Sequence, residues 1–96
     1  MKMLLLVYDV DFDDEVMEML GRLPLAGYTK WDRVLGKGKR SEPKLDDSVW
    51  PGFNNAVAIV ADDETQESVF ASLRALFEKL GGKGFAVFEL PVLRVI

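Results

Sequence analysis

Three kinds of hydrophobic pattern succeed one another along this chain. Residues 2–8 form a continuous apolar run of strand length, as in a strand covered on at least one face, although periodicity alone leaves a helix open. Acidic residues 9–14 break the run. Val16, Met19, Leu20 and Leu23 then fall at i, i+3, i+4 and i+7, and Asp13, Asp14 and Glu15 occupy the first turn, where a helix dipole favours carboxylates. The pattern predicts a short amphipathic helix that Gly21, Pro24 and Gly27 bring to an end. Residues 28–35 mix Tyr, Thr, Trp and Val with charges, a composition suited to a half-exposed strand. Residues 36–53 have no apolar period. Pro51 and Gly52 make a turn, and FNNAVAIVA, residues 53–61, reads as the next strand. Asp63 is placed to cap a second helix with Gln66 three positions later, as in a capping box, and Val69, Phe70, Leu73, Leu76, Phe77 and Leu80 give that helix a wide apolar face. Gly81, Gly82 and Gly84 terminate it. Residues 85–96 supply a last strand, interrupted at Pro91, whose missing amide donor points to an edge or a bulge.

The predicted order is βαββαβ. It implies an α+β, ferredoxin-like sandwich in which two helices cover one face of an antiparallel sheet, with residues 1–96 forming a single domain. The order also implies two βαβ halves, although the halves share no obvious sequence identity. The second face of the sheet is left uncovered in a monomer, so self-association is expected.

Composition narrows the chemistry. With no cysteine and no histidine, disulfides, thiolate nucleophiles, imidazole bases and the usual zinc or copper ligands are excluded. A formal charge of −4 argues against general nucleic-acid binding, which needs a broad basic face. The apolar start is too short for a membrane span, so a cytoplasmic protein without membrane insertion is expected. Against this acidic background, residues 36–53 gather Lys37, Lys39, Arg40 and Lys44 beside Gly36 and Gly38. Such glycines can take positive φ and let backbone approach a ligand closely, while the cations favour phosphate or carboxylate. The bland alternative is a solvated hairpin connection. Asp9, Asp11, Asp13 and Asp14 have the ligand chemistry for calcium or magnesium but lack the spacing of a calcium loop, which favours helix capping and solvation. Trp31 and Trp50 can pack, stack or anchor a partner.

Several stretches taken in order resemble the PII nitrogen-regulatory signal proteins. Asp14-Glu15-Val16 through Met19-Leu20 is similar to the family's DEV-x-E-x-L helix opening. Gly27 to Thr29 and then Val34 to Lys39 resemble its second strand and the Gly-x-Gly-basic start of its T-loop. Ile59-Val60-Ala61-Asp62-Asp63 resembles its strand-to-helix junction. Gly82-Lys83-Gly84, Val87-Phe88 and Leu90-Pro91-Val92 resemble its B-loop and final strand. The resemblance implies a homotrimer with ligand clefts between subunits. There Gly36, Lys37, Gly38, Lys39 and Arg40 of one subunit would face Gly82, Lys83 and Gly84 of the next around a small anionic effector. It also implies an adenine nucleotide as a candidate ligand, and a loop presenting Lys44, Asp46, Asp47 and Trp50 to a target transporter or enzyme in nitrogen or carbon regulation.

The chain departs from the family pattern at defined places. Arg40 stands where the family carries a glutamine that positions 2-oxoglutarate and magnesium. No tyrosine lies in the loop for uridylylation, and Phe85-Ala86 replaces the lysine after the last B-loop glycine. The expectation is a regulator, not an enzyme, with no metal site. Two other classes share the fold. A trimer like the CutA divalent-cation-tolerance proteins would have to hold hard cations through carboxylates. An acylphosphatase-like hydrolase needs an arginine on a phosphate loop after the first strand, where this chain is acidic.

Overall fold

The computed structural model describes residues 1–39 and 42–96. Strand β1 (Lys2–Asp9) leads through one 3-10 turn (Val10–Phe12) into helix α1 (Asp13–Arg22). Strands β2 (Thr29–Val34) and β3 (Asn54–Ala61), helix α2 (Asp63–Lys79) and strand β4 (Phe85–Pro91) follow. The sheet has the order β2-β3-β1-β4 with every neighbouring pair antiparallel, the expected ferredoxin-like topology. Among the described residues no helix is long and apolar enough to cross a membrane.

Side chains alternate across β1 because successive residues of a strand point to opposite faces. Leu4, Leu6 and Tyr8 are buried against the helices, where they meet Val57 and Ile59 of β3, Val16, Met19 and Leu20 of α1, and Val69, Leu73 and Leu76 of α2 in one core. Met3, Leu5 and Val7 lie on the other face. The unbroken apolar run of β1 therefore reflects a strand whose two faces both meet apolar neighbours. Leu5 stands opposite Ala58 on one side and Phe88 on the other. Trp31, Val60 and Phe88 leave this helix-free side of the sheet broadly apolar and exposed.

Four details differ from the sequence expectation. Helix α1 runs through Gly21 and stops after Arg22, because Leu23 is extended (ψ 149°) ahead of Pro24, a residue that disfavours helix in its predecessor. Asp62, not Asp63, caps α2: its side chain accepts from the Thr65 amide at 2.7 Å, and Asp63 pairs with the N-terminal amine at 3.0 Å. Gln66 consequently lies one residue past the position a capping box requires. It faces the sheet, fully buried, and donates to the Lys2 and Ile59 carbonyls at 2.9 and 2.8 Å. The last strand ends at Pro91 and does not resume towards Ile96, since β4 is an edge strand that β1 alone supports.

Candidate functional site

The register of β1 decides where the two glycine-containing loops meet. Tyr8 pairs with Phe85 and Asp9 with Asn54, so the loop after β2 and the turn before β4 both emerge at the Asp9 end of the central strand. The Asp9 amide donates to the Gly84 carbonyl at 2.7 Å and the Val10 amide to the Phe53 carbonyl at 3.2 Å. Between the loops lies a cleft of about 470 Å³. Gly36, Lys37, Gly38, Lys39 and Lys44 line one side of it, Gly82, Lys83 and Gly84 the other, and Val7, Val34, Ala86 and Phe88 supply apolar wall. The sequence expectation set these segments on facing subunits. A single chain already brings both to one cleft. Arg40, the remaining predicted cation of the group, lies outside the described residues.

Glycine is required in the second loop more than in the first. Gly82 and Gly84 have φ of +71° and +67°, the left-handed region that other residues enter at a cost. A Cβ on Gly84 would also come within 3.1 Å of the Phe12 ring. Gly36, by contrast, keeps an ordinary φ and exchanges two backbone hydrogen bonds with Lys44, at 2.9 and 2.7 Å, which draws the loop into a narrow ladder.

That ladder turns Lys44 inwards. Predicted as part of the partner-facing loop, it lines the cleft and holds Asp9 through Nζ to Oδ2 at 2.8 Å. Burial acts to raise the pKa of Asp9, but the Lys44 ammonium and the Asp11 amide outweigh it and hold the carboxyl below its usual range. Among the described residues no carboxylate pairs with Lys37, Lys39 or Lys83. Four lysines thus line the cleft, and only Lys44 among them is paired with a carboxylate, which makes a local cationic site in an acidic chain. Its chemistry suits an anion that also has an apolar or planar part.

Asp46 is held by strand β2, and Asp47 and Trp50 by the loop itself. Asp46 pairs with Arg33 at 2.9 Å, and Arg33 lies over the Phe53 ring at 4.8 Å. Asp47 Oδ1 accepts from the amides of Val49 and Trp50, while the Trp50 carbonyl accepts from Leu45. Residues 45–52 therefore make a compact turn. Its root is a β-bulge between Trp31 and Val34, where Arg33 takes φ +60° and gives its amide to Asn55 Oδ1 at 3.2 Å.

Beneath the bulge, Asp13 is a hub. It accepts from the Tyr8 hydroxyl at 2.7 Å, the Lys30 amine at 3.0 Å and the Asn55 amide at 3.1 Å, joining α1 to β1, β2 and β3. Burial, then the Asp13 hydrogen bond and charge, push the Tyr8 hydroxyl well above its ordinary pKa. Burial also acts to raise Asp13, but its three donors prevail and its pKa lies below the ordinary value. The acidic cluster of the sequence thus divides: Asp9 caps the 3-10 turn and pairs with Lys44, and Asp13 organises the core edge. Among the described residues no three acidic side chains come together to hold a metal ion. Sequence reasoning missed Val7 and Phe88 in the cleft wall and Asp9 as the partner of Lys44 behind it; strand alternation puts Asp9 on the same face as Val7, but only the register shows what faces them.

Comparison with known proteins gives a consistent picture. The family model described as "Nitrogen regulatory protein P-II" matches residues 1–96. A search of curated proteins by sequence finds no match. Among solved structures, a DUF3240 family protein from Shewanella baltica superposes with a TM-score of 0.71 at 14% identity, covering 99% of this chain and 92% of that one. CPII, a nitrogen regulatory PII-like protein from Thiomonas intermedia bound to ADP, AMP and bicarbonate, superposes with a TM-score of 0.64 at 17% identity, covering 99% and 94%. A second structure of CPII, bound to ADP and bicarbonate, gives 0.65 at 19% identity, with 97% and 88% covered.

Proposed function

This chain belongs to the nitrogen regulatory protein P-II family, and from that premise we propose that it is a cytoplasmic sensor that binds an anionic effector in the cleft between its two loops and passes its occupancy to a target protein. One observation bears most of the weight. Lys37, Lys39 and Lys44 from the loop after β2 converge with Lys83 and the left-handed Gly82 and Gly84 over an apolar wall. A nucleoside phosphate has the matching halves: phosphate oxygens for the ammonium groups and backbone amides, and a planar base for Phe88 and its apolar neighbours. The ADP, AMP and bicarbonate bound to CPII favour that ligand class.

Signalling requires that the effector prefer one arrangement of the loop over another, since a ligand with equal affinity for both shifts nothing. The Gly36–Lys44 ladder and the turn at 45–52 are the element to be biased, because Lys44 belongs both to the cleft and to the ladder. The target, a transporter or enzyme, would read residues 36–53. A homotrimer formed through the helix-free sheet face accounts for the exposure of Trp31, Val60 and Phe88. Membership of a family of regulators favours a regulatory role over a catalytic one.

Isothermal titration with ADP, AMP and bicarbonate tests the reading. Binding is expected, and Lys39→Gln and Lys83→Gln should each weaken ADP by about two- to fivefold, the range for partly exposed charge pairs. Absence of binding by all three ligands would remove the effector from the account. A pull-down comparing the intact chain with a deletion of residues 38–47 checks that a target depends on the loop.

A further inference from the structure

Asp9 lies behind the cleft, where its carboxylate pairs with Lys44, one of the four lysines that line it, and its role as cap of the 3-10 turn uses only Oδ1 and leaves this pair unexplained. Resting on the anion-binding reading above, we propose that Asp9 determines selectivity at this site: it holds the Lys44 ammonium in place of an external anion, so that Lys44 passes only to a ligand that outcompetes an internal carboxylate.

Both partners are held for this role. Asp9 Oδ1 accepts from the Asp11 amide at 2.8 Å, and the Asp9 amide is bound to Gly84 at 2.7 Å, which leaves Oδ2 to Lys44. Lys44 is fixed by its two backbone bonds to Gly36 and extends along the cleft, with only 17% of its side chain exposed against 23% for Asp9. Such a pair is poorly screened by solvent. A monoanion gains little by replacing one carboxylate with another. A diphosphate brings more charge and more acceptor oxygens, and can engage Lys44 together with Lys39 and Lys83. Because Lys44 also closes the ladder with Gly36, transferring its ammonium from Asp9 to the ligand strains that ladder and the turn behind it. Selectivity and signalling then share one contact.

Asp9→Asn tests the proposal, since the amide oxygen still accepts from Asp11 while the charge is lost. Titrations of the full chain with ADP and with bicarbonate are expected to show ADP tighter by about fivefold and bicarbonate tighter by a larger factor, so that the preference for ADP narrows. If wild type binds ADP and Asp9→Asn binds both probes no better, the competing role of Asp9 is overturned and the anion site stands. If neither protein binds either probe, both readings fall. Should Asp9→Asn unfold below the titration temperature, Lys44→Gln asks the same question from the other side. It must weaken ADP more than bicarbonate, and equal loss for both overturns the proposal.

Discussion

Replacing Gly84 with alanine probes the cleft and the fold together. At φ +67° a non-glycine residue costs about 1–2 kcal/mol. The new Cβ would stand 3.1 Å from the Phe12 ring and 3.5 Å from the Asp9 Cβ, so the ring must give by a few tenths of an ångström. Phe12 packs against the core, and forcing such a contact costs roughly another 1–2 kcal/mol. The expected loss is therefore about 2–4 kcal/mol, a large part of the ~5–15 kcal/mol that stabilises a domain of this kind. Urea denaturation of wild type, Gly84→Ala, Phe12→Ala and the double variant separates the two contributions. The ring contact disappears in the Phe12→Ala background, so the alanine should cost about 1–2 kcal/mol less there, a coupling that a double-mutant cycle resolves. Gly81→Ala is the control for backbone alone, because Gly81 has φ +88° with nothing within 4 Å of a Cβ. A Gly84→Ala cost no larger than that of Gly81→Ala, with no coupling to Phe12, would refute the close approach on which the shape of the second loop depends.

Two further outcomes follow from the hub and from the open sheet. Asp13→Ala strands the buried Tyr8 hydroxyl and should destabilise the fold by about 2–3 kcal/mol at pH 7 by urea denaturation. Because the Asp13 pKa is lowered on folding, its contribution is complete above the unfolded carboxylate value of about 3.9 and lost as pH falls through the lower folded value. Wild type and variant should therefore converge in acid, and a gap that widens there would contradict the assignment. Phe88→Lys puts a charge on the exposed apolar face and should shift sedimentation velocity from trimer to monomer, while circular dichroism remains that of the folded chain; a monomeric wild type would overturn the trimer.

The order of elements was legible because each carries its own local pattern: an apolar run in β1, 3.6-residue spacing in α1 and α2, and glycines where the chain must turn. Local signals also placed Gly36 to Lys39 and Gly82 to Gly84 in loops, and the lysines among them pointed to an anion. Where those patterns misled, the deciding contact was distant. Gln66 reads as a capping residue until the carbonyls of Lys2 and Ile59 are brought beneath it. Nothing local shows that Lys44 pairs with Asp9, Asp46 with Arg33, or Trp50 with Asp47. Asp9 and Lys44 are 35 positions apart and meet only because the antiparallel register of β1 and β3 returns the loop to the end of the central strand. Periodicity reports which face of an element avoids water; which side chains meet across the fold depends on strand register and on a left-handed bulge residue, quantities no short window of residues contains.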